Sequence, residues 1–201
     1  MKLLKLSSIS LCMAFVVMGC AQQQSQNDMQ DQEQSETEKT EQAMTSSTSY
    51  EQAVTVLHPT EGNEVTGTIS FQKVAEGVQV QADVQGLEEG NHGFHVHLYG
   101  DCTASDGTSA GTHFNFTGSS TNPPADIDRI TGNLGNLNAG SDGTATVDTV
   151  IANAKLNGPK SILGRAVIIH AKKNDPNQPP IGAAGSRQAC GVIGTANSET
   201  M

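Results

Sequence analysis

From Tyr50 onward the chain is written in short runs of Val, Ile and Thr broken by Gly, Asn, Asp and Pro, and no stretch sustains a helical period. The runs that read as strands are Ala53–Leu57, Val65–Lys73, Val78–Val84, Gly93–Leu98, Thr144–Val150, Arg165–His170 and Gly191–Thr195. Turn residues separate them at Glu61-Gly62-Asn63, Glu88-Glu89-Gly90-Asn91 and Ser141-Asp142-Gly143. Strands at this spacing, with turn chemistry between them, build an antiparallel sandwich or barrel. Two stretches carry no strand pattern, residues 99–143 and 171–189. Loops of that length in a compact domain usually carry function. With 21 Gly, no Trp and 3% aromatics, the composition suits an all-β domain with long turns better than a helical bundle.

The residues before Tyr50 follow other rules. Lys2 and Lys5 precede an apolar stretch, Ile9 to Met18, that is too short to span a bilayer and has the charged start of a secretory leader. It ends Val17-Met18-Gly19-Cys20, which resembles a bacterial lipobox with Cys20 as the lipidated residue. A plain signal peptide with a chance cysteine is the alternative. Residues 21–49 are rich in Gln, Ser and Thr, with six acids against Lys39 alone. Such a tract cannot bury enough surface to offset its ordering entropy. It reads as a tether with a reach of roughly 30 Å, an interaction tail being the other use open to it. The expected organisation is a signal peptide over 1–19, lipidated Cys20 and a disordered tether over 20–49, a folded domain over 50–197 and a tail over 198–201. That places the domain in a bacterial cell envelope, periplasmic or surface-exposed, touching the membrane only through its lipid anchor.

Eleven Lys and Arg face 21 Asp and Glu, a formal charge of −10. Losing Lys2 and Lys5 with the leader leaves nine basic residues against 21 acidic ones. A nucleic-acid binder needs clustered basic residues to displace counterions, so that class is excluded. Whether the chain works as a monomer or a homodimer stays open.

Six histidines are present: His58, His92, His95, His97, His113 and His170. Side chains alternate along a strand, so Phe94, Val96 and Leu98 share one face and His95 and His97 the other. The apolar face belongs to the core, which leaves His95 and His97 together on the outer face. Paired imidazoles of this kind suit copper, zinc or iron. His92 has the parity of Phe94 and is expected inside, hydrogen-bonded; His58, beside Pro59, is expected to be exposed. His113 sits in the first long stretch and His170 opens the second. Four imidazoles of tetragonal preference favour copper over zinc. Ser70-x-x-Lys73 falls in strand-patterned sequence and is discounted as a nucleophile motif.

Five segments then carry a family resemblance. They are His92-Gly93-Phe94-His95-Val96-His97, Ser109-Ala110-Gly111-Thr112-His113-Phe114-Asn115, Leu134-Gly135-Asn136, Gly164-Arg165 through His170, and Gly185-Ser186-Arg187-Gln188-Ala189-Cys190-Gly191-Val192-Ile193-Gly194. In that order, across nearly all of residues 52–196, the chain resembles copper/zinc superoxide dismutase. The resemblance implies an all-β fold, an eight-stranded Greek-key β-barrel or sandwich of immunoglobulin-like type with two long loops. It implies that His95, His97, His113 and His170 bind copper and that Arg187 guides the anion. The cysteines agree. Cys12 leaves with the leader and Cys20 takes the lipid, so Cys102 and Cys190 remain as a pair that an oxidising compartment allows to be bridged; free thiols are the alternative.

The zinc half of the family pattern is missing. No histidine lies between His113 and His170. The positions matching zinc ligands hold Thr121, Ile130 and Asn133, and Asn174, next to Asp175, stands where the family has the aspartate that ties copper and zinc ligands together. The chain thus resembles the copper-only members of the family. An oxygen-rich zinc site from Asp126, Asp128 and His113 is one alternative. A hydrogen bond to His113 from one of those acids, Asp128 first, is another.

The reaction implied is the disproportionation of superoxide to O₂ and hydrogen peroxide, with His113 handing a proton to the product. Arg187, helped by Lys172 and Lys173, must supply a local positive field in a domain whose total charge repels the anion. Without zinc behind His113, activity is expected to fall at alkaline pH. The rival class is a non-catalytic envelope lipoprotein that binds or sequesters copper. An inactive descendant of the fold is a third reading, weakened because all four copper positions survive.

Overall fold

The computed structural model of the chain describes residues 49–116 and 130–197. The expected leader, Cys20, nearly all of the tether, Thr121, Asp126, Asp128 and the tail lie outside the described residues.

Among the described residues nine strands form in chain order: β1 Gln52–Pro59, β2 Thr66–Val74, β3 Gly77–Gln85, β4 Gly90–Val96, β5 Asn133–Ala139, β6 Ala145–Ile151, β7 Ala166–His170, β8 Arg187–Val192 and the two-residue β9 Gly194–Thr195. They are ordered β5-β4-β7-β8-β1-β2-β3-β6, with β9 pairing β1 off that path. The two ends of this order, β5 and β6, pack on each other, so the eight longer strands make a nearly closed antiparallel barrel. The steps from β3 to β4 and from β6 to β7 jump between strands that are not neighbours, as in a Greek key. Among the described residues the only helical element is a 3₁₀ turn at Thr108–Ala110.

Alternation explains the barrel. Along β3, Val78, Val80, Ala82 and Val84 are buried, whereas Gln81, Asp83 and Gln85 are exposed. Phe71, Ile69, Leu57, Phe94, Leu134, Leu137 and Ile169 fill the same interior. β7 departs from this rule, being buried along its whole length. Val167 and Ile169 face the core, and Ala166 and Ile168 join Ala110 and Cys190 in a second apolar cluster on the other side. That cluster exists because the long segment after β4 folds back over the outside of β7 and β8. A disulfide between Cys102 and Cys190 pins it there, with Cα atoms 5.8 Å apart. Closing an 88-residue separation stabilises by roughly 4–5 kcal/mol on the chain-entropy model.

Three expectations need correction. The stretch 99–143 is not strandless, because β5 lies inside it. Its sequence, Asn133-Leu-Gly-Asn-Leu-Asn-Ala139, hides the period: Leu134 and Leu137 are three apart, and Gly135 has φ +120°. The last strand starts at Arg187 instead of Gly191 and breaks at Ile193. His97 and Leu98 fall just beyond β4, His97 forming an isolated bridge with His113.

Phe71 is fully buried in the interior, away from the histidines. Phe71→Ala should destabilise the domain by about 3–5 kcal/mol in urea unfolding without changing its metal content. A cost below about 1 kcal/mol would contradict this packing.

Candidate metal centre

His95, His97, His113 and His170 converge from β4, the residues after it, the first long loop and the end of β7. One ligand atom from each lies within 4.8 Å of the others. They are the only such cluster of His, Cys, Asp or Glu among the described residues. The strand registers help to aim them. The β4–β5 ladder is bulged between Phe94 and His95, and the β7–β8 ladder between Ile169 and His170. A bulge re-aims the side chain beside it, and here each bulge falls at a histidine. The expected outer face is correct, but it is not open: His95 is 0% exposed and His97 1%. The loops cover it.

Each ring has a polar partner on the side away from the cluster. His97 Nδ1 donates to the Gly111 carbonyl at 2.9 Å and His170 Nδ1 to the Gly185 carbonyl at 3.1 Å. His95 Nε2 donates to Asn174 Oδ1 at 2.6 Å. His113 is hydrogen-bonded to the Thr131 backbone. The inward nitrogens of His97 and His170 are then 3.4 Å apart, and His95 Nδ1 is buried with no hydrogen-bond partner. An orphaned buried imidazole nitrogen facing three other imidazoles fits a metal of nitrogen preference. The residues present therefore fit copper.

Electrostatics keep the rings neutral. Burial, above all, lowers His97 and His113 to about 2 and His170 to about 4. Burial also takes His95 well below its ordinary 6.5, with His113 and His170 adding to it. The Arg187 charge lowers His97, His113 and His170 further, against the hydrogen bonds that favour their charged forms.

Arg187, at the start of β8, is half-buried. Its Nη1 and Nη2 donate to the carbonyls of Gly107 and Gly111, both at 2.6 Å. One fork thus ties β8 to the loop that also carries Cys102. Arg187, His97, His113 and His170 line a cavity of about 340 Å³ that also touches Thr108, Thr112 and Ile181. His92 and His58 stay outside the centre. The buried His92 ring lies 2.9 Å from the carbonyls of both His170 and Glu88, as a structural histidine should, and His58 is exposed.

The carbonyl anchors Gly111, Gly185 and Thr131 are invisible to sequence reading, because every residue carries a carbonyl. The one legible trace is Gly93, where a Cβ would stand 2.8 Å from Asn174 Oδ1. The glycine of His92-Gly93-Phe94 leaves room for that side chain.

Residues 65–193 match the family model for copper/zinc superoxide dismutase. The extracellular Cu-Zn superoxide dismutase of Brugia pahangi is 41% identical over 150 residues, 70% of this chain and 74% of that one. Cu-Zn superoxide dismutase 2 of Brassica juncea is 44% identical over 150 residues, 71% of this chain and 97% of that one. The chain belongs to the copper/zinc superoxide dismutase family. A crystal structure of the clock protein EA4 superposes with a TM-score of 0.62 at 38% identity, over 74% of this chain and 97% of that one. Ile130, expected from the sequence at a zinc-ligand position, lies against Gly182, whose Cβ would stand 2.7 Å from Ile130 Cδ1. Asn133 Oδ1 accepts from the Gly135 N–H and from Asn174 Nδ2. Asp126 and Asp128 lie outside the described residues, and the partner shown for His113 is the Thr131 backbone.

Histidines of the unfolded chain titrate near 6.5, whereas in the folded, metal-free site protonation waits until about 4 or about 2. Below pH 6.5 the unfolded chain takes up protons that the folded site refuses. Stability is therefore full above that pH and falls as pH drops toward 4, by up to about 1.4 kcal/mol per histidine per pH unit. Urea midpoints of the metal-free protein should decline from about pH 7.5 to about pH 5, and less steeply in His113→Gln. A midpoint that stays constant would contradict the burial-driven shifts.

Proposed function

We propose that this chain is a copper-dependent superoxide dismutase that works without zinc, held outside a bacterial membrane by a lipid on Cys20. Family membership supports the enzyme class. The observation that carries the reading is the set of four buried, neutral imidazoles, three of which line a cavity that a guanidinium shares. The extracellular name of the Brugia pahangi relative is in keeping with an exported domain. The zinc-free part is supported by Ile130 and Asn133, neither a credible zinc ligand where it stands.

His95, His97, His113 and His170 would hold copper, whose change of oxidation state supplies the redox chemistry when it is bound. Two superoxide anions and two protons become one O₂ and one hydrogen peroxide. Arg187 draws the anion into the cavity and orients it there. Its fork is held by two carbonyls, so the charge does not wander. Lys172 and Lys173 are exposed on the second loop and add to the positive field. His95 is wholly buried and holds geometry, whereas His97, His113 and His170 line the cavity, and His113 is the one read as passing a proton to the peroxide.

Metal analysis of the purified protein should find about one copper and no zinc per chain. Stopped-flow superoxide decay, normalised to that copper, should run far above the rate of free copper ions. Arg187→Ala should retain copper and slow the decay by roughly tenfold or more. A bound zinc would overturn the zinc-free reading, and no rate above free copper would turn the protein into a copper-sequestering lipoprotein.

A further inference from the structure

Asn174 is 8% exposed, and its whole amide is engaged. Its Oδ1 accepts from His95 Nε2 at 2.6 Å, while its Nδ2 donates to the Gly135 carbonyl at 2.8 Å and to Asn133 Oδ1 at 3.0 Å. Its backbone N–H donates to Asn136 Oδ1 at 2.9 Å. Most amide orientations in proteins rest on a choice between near-identical O and N atoms. Here the choice is forced. The Gly135 carbonyl can only accept, so it must face the Asn174 NH₂. The Gly135 N–H can only donate, and it lies 2.9 Å from Asn133 Oδ1. That turns the Asn133 oxygen, and not its NH₂, toward Asn174. With both of its N–H groups committed, Asn174 presents only an oxygen to His95, and an oxygen without a proton can bond only an Nε2–H.

We propose that the peptide groups of Gly135, acting through Asn133 and Asn174, fix His95 in its Nε2–H tautomer and so keep Nδ1 bare toward the copper position. Asn174 is the positioning residue in this relay. The proposal rests on the copper reading above and deepens it by naming what sets the donor atom of the most buried ligand. An aspartate at 174 would serve His95 equally well but would turn its second oxygen toward two acceptors, the Gly135 carbonyl and Asn133 Oδ1. The asparagine therefore belongs with the asparagine at 133. Gly135 itself, at φ +120°, occupies backbone space that side chains rarely adopt, so the source of the relay is tied to glycine. Room for the relay comes from Gly93 and Gly182, where a Cβ would stand 2.8 Å and 3.1 Å from Asn174 Oδ1.

Long-range ¹H–¹⁵N correlation spectra of the full-length protein, metal-free and loaded with diamagnetic Cu(I), read the tautomer of His95 directly. The wild type should show Nε2–H in both forms. Asn174→Leu, which removes the acceptor, should lose that fixed signature and weaken copper binding by about ten- to a hundredfold. Asn174→Asp should keep the Nε2–H signal yet melt at a lower temperature than the wild type, a split that a merely space-filling role would not produce. Finding Nδ1–H at His95 in the wild type overturns the proposal even if no variant folds. So does an Asn174→Leu protein with an unchanged tautomer and copper affinity within twofold. Neither spectrum depends on superoxide turnover, so failure here and failure of the dismutase reading are told apart by the stopped-flow rate of the wild type.

Discussion

An imidazole offers one nitrogen reliably to a metal only when its other nitrogen is held by something else. The loops of this barrel exist, in structural terms, to supply that hold. The acceptor for His97 is the Gly111 carbonyl in the first loop, and the acceptor for His170 is the Gly185 carbonyl in the second. His95 depends on Asn174, also in the second loop. If the loops were removed, the strands would still present histidines, but each ring could turn and exchange tautomers. The disulfide and the Arg187 fork matter for the same reason. Cys102–Cys190 and the bonds from Arg187 to Gly107 and Gly111 fasten the first loop to β8 at separate points along it.

The total charge of −10 says little about what the centre attracts. Inside, the dominant electrostatic fact is desolvation, which keeps the four rings neutral before any metal arrives. Among the described residues, the strong charge that reaches those rings is Arg187, with Asp106 facing it. A half-buried guanidinium beside neutral imidazoles makes a small electropositive spot inside an acidic molecule. Its field acts over a few ångströms, where salt screens it less than the surface carboxylates.

What could be read from the sequence follows from what has a side-chain signature. β1, β2 and β3 were legible because Val, Ile and Ala alternate with Gln, Thr and Asp on a sheet with one dry face. The parity of Phe94, His95, Val96 and His97 was legible for the same reason. β5 was hidden because Gly135 and a bulge opposite His95 break its period, so its two leucines do not look like one face. The four histidines could be collected only as candidates, since spacing brings together His95 and His97 and nothing local brings His113 and His170 to them. Family resemblance closed that gap. The carbonyl acceptors behind His97, His113 and His170 had no signature at all, whereas Asn174 was marked by the family pattern and by Gly93, a glycine where Asn174 needs space.

A buried nitrogen with no partner, such as His95 Nδ1, costs roughly 1–3 kcal/mol when the protein folds without metal. Desolvating the surrounding rings adds to that. The centre is therefore a local weakness in the metal-free domain, and something nearby must oppose it. The barrel core lies on the other side of β4 and β7 and does not cover the histidines. The nearest counterweight is the second apolar cluster, Ala110, Ala166, Ile168 and Cys190 under the first loop, stapled by a disulfide worth roughly 4–5 kcal/mol. The stabilisation, which acts by restricting the unfolded chain, exceeds the penalty of a single unpartnered nitrogen. The geometry of the rings is thus held before the metal binds, and the metal meets ligands already set, not ligands it must gather.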